Sequence, residues 1–154
     1  MVRLSDLSDG AANHLRSKTC PPFKTQPWVS GPPLKQRRVA IITTAGLHTA
    51  DEQNFGFIDT SYRVIAGDTD GSDLLMSHTS VNFDRSGFQQ DVNVIFPIDR
   101  LRELEAAGEI GSLGRFHYAF MGAGAKAEEF EAGAREVAGL LKEDQINAVL
   151  LCPV

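Results

Sequence analysis

Four histidines, two cysteines and a cluster of aspartates are the residues of this chain with chemistry to offer. The histidines are His14, His48, His78 and His117. None stands in the H-x-x-x-H or H-E-x-x-H spacing that puts two imidazoles on one helix face for a metal. His48 follows a strand-like run and a glycine turn, and His78 ends another run five residues after Asp73. With a carboxylate they could form a three-ligand site, but the spacing does not signal one, and half-buried or surface histidines are the simpler reading. The loop from Gly67 to Asp73 resembles a calcium loop only superficially. Its glycine is fourth rather than sixth counting from Asp68, and Thr79 stands where a bidentate glutamate belongs. We therefore expect no metal, and a polar turn or a substrate-facing loop there.

Cys20 and Cys152 are far apart and form no C-x-x-C. Cys152 stands alone at the end of an apolar run, where a free thiol serves more often as a small hydrophobe than as a nucleophile. Gly122-Ala123-Gly124-Ala125-Lys126-Ala127 fits G-x-G-x-x-A between a strand and a helix, the form of a dinucleotide-binding turn. The acidic residue expected at the end of the next strand is missing, since Cys152-Pro153 is there, and a close-packed helix start is the favoured reading.

The elements that must position these residues are those of one soluble domain. The length of 154 residues suffices for one core, and the net charge of −5, with no basic block longer than Lys35-Gln36-Arg37-Arg38, argues against nucleic acid. No run of about 18 apolar residues predicts a membrane span. The first residues lack the apolar stretch of a secretory signal, and the sparse cysteines suit a reduced, cytoplasmic setting. Residues 1–37 carry five prolines and no persistent period. We read them as an extended arm packing Phe23 and Trp28 onto another surface, of this chain or of a partner subunit, or as a tail without fixed structure.

From Arg38 the pattern becomes regular. Val39-Ala40-Ile41-Ile42-Thr43 is a buried strand ended by Thr44-Ala45-Gly46. Further strands are expected at 61–65, 74–78, 92–96, 116–121 and 147–151. Ile98, Leu101 and Leu104 mark a helix that Gly108 stops, and Phe130, Ala134, Val137 and Leu141 share one face of a helix from about 125 to 144. This order predicts an α/β domain over 38–154: three layers, a partly parallel sheet and flanking helices. A right-handed crossover makes the last two strands parallel, with the final strand inside the sheet. Such a strand lacks a covering helix, so we expect the domain to be incomplete at its C-terminus.

Several segments together resemble one family. They are Arg38 to His48, Ser61 to Ile65, Gly67 to Asp70, Asp73-Leu74, Ser77-His78, Asp91 to Leu101, Gly111 to Leu113, His117 to Gly122 and Ala148 to Val154. The chain from about residue 20 onward resembles the selenoprotein B family of glycine, sarcosine, betaine and D-proline reductases, in the form of the short D-proline reductase B-type subunit. In that family the residue after the Pro-Val pair is selenocysteine or cysteine, which here would be position 155, directly after Val154. The resemblance thus implies a chain cut short before its redox residue, with no catalytic residue of its own.

The resemblance also implies an oxidoreductase that cleaves the C–N bond of a small amino acid or amine. A pyruvoyl group on a partner subunit binds the amine as a Schiff base, a selenolate attacks Cα, and a dithiol donor restores the selenium. It implies that His48, Asp68, Asp70, His78, Asn93, Asp99 and Arg100 line the substrate or pyruvoyl pocket. Cys152, three residues before the missing position, is either an extra redox thiol or a structural one. Two other functions stay open at this point: a non-catalytic binding or regulatory domain of the same family, and a nucleotide-binding domain built on Gly122 to Ala127.

Overall fold

The computed structural model describes residues 3–18, 22, 28–80 and 85–154, so Cys20 and Phe23 lie outside the described residues. The chain divides into two compact units, Met1–Ser30 and Gly31–Val154. The first contains helix α1 (Asp9–Arg16), so that part of the segment read as extended is helical. Ser8 explains the start: its hydroxyl accepts from the Ala11 N–H at 3.4 Å. Trp28 and Val29 are exposed.

The second unit is built on strand β1 (Arg38–Thr43), whose Ala40 and Ile41 are both completely buried. Adjacent buried positions mean that both faces of this strand are covered, as its continuous β-branched run requires. Strand β2 (Leu47–Thr49) follows, then β3 (Tyr62–Ala66) and β4 (Leu74–Met76). Helices α2 (Ser86–Gln90) and α3 (Ile98–Ala106) precede β5 (Ser112–Leu113) and β6 (Phe116–Phe120). Helix α4 (Glu131–Glu143) and β7 (Ala148–Cys152) complete the order.

β1 is parallel to all its neighbours. β5 and β6 share one of its edges, pairing Arg38 with Ser112 and Ile42 with Tyr118. β7 takes the other edge from Val39↔Ala148 to Thr43↔Cys152. β3 lies antiparallel outside β6. On one face of the sheet pack Ile95, Phe96, Ile98, Leu101 and Leu47, together with Val39, Ile41 and Ala119 of the strands. On the other, Val137, Phe130, Leu140 and Leu141 pack on Tyr118, Phe120, Ile42 and Tyr62. This is the expected α/β architecture with flanking helices.

Four local expectations need correction. Val92 to Phe96 is not a strand: Asp91 accepts from the Asn93 N–H at 2.9 Å and starts a 3-10 turn over Val92–Val94, and the adjacent Ile95 and Phe96 both enter the core. The aspartate's local hydrogen bond competes with the ladder and wins. The strand expected at 74–78 ends at Met76 and belongs to a separate antiparallel ladder with β2, a strand the sequence did not signal. The last helix opens as a 3-10 turn at Ala127–Phe130 and becomes α-helical only at Glu131. Finally, β7 is an edge strand rather than an interior one. Among the described residues it pairs with β1 alone, and Val149, Leu150 and Leu151 are exposed on its two faces.

The end of α3 follows the expected chemistry, and α4 ends in the same way without a glycine. Gly108, at φ +68°, stops α3 by letting the Glu109 N–H reach the Leu104 carbonyl at 2.9 Å. Gln145 does the same for α4 at φ 56°, with Ile146 bonded to the Leu141 carbonyl at 2.8 Å.

Candidate active-site edge

Because β1, β6 and β7 run parallel, their C-terminal ends emerge together, where α/β proteins hold ligands. Thr44, Gly122, Pro153 and Val154 meet there. The Thr44 N–H donates to the Cys152 carbonyl at 3.1 Å, and the Thr44 carbonyl accepts from the Gly122 N–H at 2.9 Å. The Thr44 hydroxyl accepts from the Val154 N–H at 2.8 Å and donates to the Val154 carbonyl at 3.4 Å.

These residues form one wall of a cleft of about 480 Å³ completed by Phe120, Ala125, Ala127, Phe130 and Ala134. Phe120 and Phe130 meet edge to face at 5.9 Å. Among the described residues no charged side chain lines the cleft. Its shape depends on two glycines. A Cβ on Gly122 would come 2.8 Å from Thr44 Cβ, and one on Gly124, at φ +90°, would come 2.7 Å from the Phe57 carbonyl oxygen.

This geometry favours close packing over a dinucleotide turn at 122–127. The helix does not open at Gly124, and Glu128, Glu129 and Glu131 occupy the first turns, where they repel a phosphate.

The opposite edge of the sheet is polar. Asp144, only 5% exposed, accepts from Arg115 Nε at 2.8 Å, the Arg115 N–H at 2.6 Å and Arg38 Nη2 at 2.9 Å. Burial opposes its ionisation, but the hydrogen bonds from Arg115 and Arg38 outweigh it and hold the carboxyl at about 2. The pair of arginines ties the starts of β1 and β6 to the turn before β7.

The polar residues named from the sequence do not converge. Asp68 and Asp70 line a cleft of about 650 Å³ with Thr49 and Asp51, and Asp70 also lines a neighbouring one of about 600 Å³ with Asn93 and Asp99. Both clefts flank the loop after β3, which leaves the sheet where β6 begins, at the polar edge. There these side chains shape backbone. Asp70 accepts from the Ser72 N–H at 2.8 Å, and its carboxyl is held below the usual range by that bond and by the Ser72 hydroxyl. Asn93 bridges Asp91 and Asp99 at 2.8 and 3.0 Å, and Asp99 pairs with Arg102, which reaches the Gly67 and Thr69 carbonyls. Arg100 is exposed and pairs with Glu103 at 2.7 Å.

His48 and His78 are buried in and beside the β2–β4 ladder. His48 holds the Thr49 carbonyl at 2.8 Å and the Ser77 hydroxyl at 2.6 Å. His78 has its backbone against Gly46, two residues past Thr44, and the next residue, Thr79, donates to Met121 Sδ at 3.3 Å. It therefore lies at the same edge as Val154. Burial lowers the His78 pKa, and the nearby Arg85 guanidinium adds to this. Cys152 packs partly buried against the core, and burial pushes its thiol up. Among the described residues no three histidine, cysteine or carboxylate side chains converge as metal ligands, and no helix is long and apolar enough to cross a membrane.

Two residues of the site were not singled out by their types. Thr44 reads as part of a turn, and its only signal is a hydroxyl at the end of a buried strand. Phe130 reads as one apolar position on a helical face.

Comparison with known proteins bears on this edge. The family described as glycine/sarcosine/betaine reductase selenoprotein B matches residues 26–153. The chain is 38% identical over 120 residues to D-proline reductase subunit gamma of Acetoanaerobium sticklandii, covering 77% of this chain and 49% of that protein. It is 30% identical over 129 residues to glycine reductase complex component B subunit gamma of Symbiobacterium thermophilum, covering 78% of this chain and 30% of that one. With betaine reductase complex component B subunit beta of Peptoclostridium acidaminophilum the identity is 27% over 122 residues, or 77% of this chain and 28% of the relative. The matched region thus spans about half the length of the first relative and under a third of the others. No solved structure matches the chain. The family match takes in every strand of the sheet and ends one residue short of Val154, and the chain belongs to the glycine/sarcosine/betaine reductase selenoprotein B family.

Proposed function

We propose that this chain is the scaffold portion of a reductase subunit that cleaves the C–N bond of a small amino acid or amine, with the redox residue directly following Val154. The observation that carries the reading is the delivery of Cys152-Pro153-Val154 to the mouth of a neutral cleft at the C-terminal edge of three parallel strands. Reductive cleavage takes up two electrons and two protons, supplied by a dithiol that becomes a disulfide. A pyruvoyl group on a partner subunit supplies the electron sink at the substrate's Cα, and a selenocysteine or cysteine at position 155 supplies the nucleophile.

The residues present fit that use. Phe120, Phe130 and the three alanines exclude water and accept the hydrocarbon body of a substrate. The lining residues described are uncharged, which suits a keto-acyl group and a neutral amine; in this reading the partner subunit recognises a substrate carboxylate. Of the polar residues named from the sequence, His78 is the one that serves this edge. Asp70, Asn93 and Asp99 support the loop and helix at the other. The names of the relatives, all subunits or components of reductases or their complexes, support the same reading, and we place the activity in the cytoplasm.

The codon after Val154 tests it. We expect UGA or a cysteine codon, followed by an open frame that continues the family sequence. The product, co-expressed with the partner subunit, should release the cleaved amine product from D-proline, glycine, sarcosine or betaine with a dithiol as reductant. A non-UGA stop codon, or a complex inactive on all four, refutes the proposal.

A further inference from the structure

We infer that Thr44 is a positioning residue: its hydroxyl replaces the last rung of the β1–β7 ladder and so fixes where the residue after Val154 stands. The inference rests on the reductase reading above and adds to it a residue that sets the geometry of the reaction.

In a parallel pair the hydrogen bonds alternate evenly between strands. After the Thr44 N–H has bonded the Cys152 carbonyl, the next rung should run from the Val154 N–H to the Thr44 carbonyl. That carbonyl is already turned the other way, to the Gly122 N–H on β6's side at 2.9 Å. The Thr44 hydroxyl takes its place, accepting from the Val154 N–H at 2.8 Å and donating to the Val154 carbonyl at 3.4 Å. One hydroxyl therefore holds both backbone polar groups of residue 154, and with them the direction in which the chain leaves.

The hydroxyl is itself held. Thr44 is bonded through its N–H to β7 and through its carbonyl to Gly122, and the absent side chain of Gly122 leaves room for it. A Cβ there would stand 2.8 Å from Thr44 Cβ and 2.9 Å from Oγ1. The β-branched side chain has few rotamers to choose from in such a space. Two features, a hydroxyl at 44 and no side chain at 122, thus act as one device. A reacting atom misplaced by about 1 Å loses roughly a hundredfold in rate, so a device of this kind has a kinetic signature.

The test uses the full-length chain assembled with its partner subunits. Thr44→Val keeps the shape and removes the hydroxyl; Thr44→Ser keeps the hydroxyl; Gly122→Ala pushes the hydroxyl aside. We expect Thr44→Val and Gly122→Ala to lower kcat roughly 10- to 100-fold with KM within about twofold of wild type, and Thr44→Ser to restore most of it. The pH profile of kcat should keep its shape, because the hydroxyl aims the reactive residue and does not ionise it. Alkylation of residue 155 should keep its rate in Thr44→Val.

An unchanged kcat in Thr44→Val, a Thr44→Ser variant no better than Thr44→Val, or a displaced pH profile overturns the inference. Amide exchange at Val154 reads the anchor itself. It should quicken at least about tenfold in Thr44→Val, an order consistent with one lost hydrogen bond, and unchanged exchange also overturns the inference. A wild-type complex without activity removes the reductase reading, and the role at residue 155 with it. A normal wild type with unaffected variants removes the Thr44 assignment alone.

Discussion

Lowering the pH from 7 to 4 should cost this protein about 3 kcal/mol of stability through His117 alone. The His117 ring is completely buried between the sheet and Phe96, which it meets edge to face at 5.7 Å. Its Nδ1 accepts from the Ile41 N–H at 3.0 Å, so the proton of the neutral ring is on Nε2, which has no partner among the described residues. A second proton would have to go on Nδ1, where it would break that bond inside an apolar core.

Burial, with the Arg102 guanidinium adding to it and Asp144 opposing, lowers the His117 pKa to about 4. The unfolded chain has its histidines near 6.5. Between those values the unfolded state binds more protons, so stability is complete above about 6.5 and falls as pH drops toward 4. The gap corresponds to about 3 kcal/mol, a large share of the roughly 5–15 kcal/mol that holds a domain folded. Urea unfolding of wild type and His117→Asn at pH 7, 5.5 and 4 measures it. Asparagine can present an acceptor to Ile41 and does not titrate. It should be less stable than wild type at pH 7, through lost ring packing, and should lose about 3 kcal/mol less on going to pH 4. His78, whose pKa is also lowered by burial, is present in both proteins and cancels in the difference. Parallel stability curves for the two proteins would refute the reasoning.

Two further outcomes follow from the fold. Asp144→Ala should cost about 2 kcal/mol in chemical denaturation, because it removes the carboxylate shared by Arg38 and Arg115; the wild-type contribution is present above pH 3.8 and lost as pH falls through about 2. Gly124→Ala should lower the thermal midpoint by a few degrees, since alanine would have to adopt φ +90° with its Cβ 2.7 Å from the Phe57 carbonyl; an unchanged midpoint would show that the loop relaxes freely.

Much of the framework was legible from neighbours along the chain. The run Val39 to Thr43 could only be a strand covered on both faces, and Phe130, Val137 and Leu141 could only be one side of a helix, because a period of 3.6 or a solid β-branched run is written locally. Gly108 was legible for the same reason: one residue at φ +68° ends one helix. The family resemblance was carried by short ordered segments that survive without any knowledge of their contacts.

The candidate site was legible only in part. His78 and Asp68 look alike in the sequence as polar residues near strand ends, yet the antiparallel course of β3 carries its loop to the polar edge, away from Val154. Val92 to Phe96 has a strand's composition, but one aspartate hydrogen bond turns it into a 3-10 turn.

What the sequence determined by itself was the regular elements β1, β3, β6, α3 and β7, the α/β class and the family. The tertiary structure decided which strand ends meet, that β7 is an edge, that His117 stands in for a strand acceptor and that Thr44 holds Val154. Those pairings join residues 76 and 110 positions apart. The physical reason is that a hydrogen-bonding group has the same identity wherever it lies in the chain, and only the folded sheet determines which distant backbone it finds.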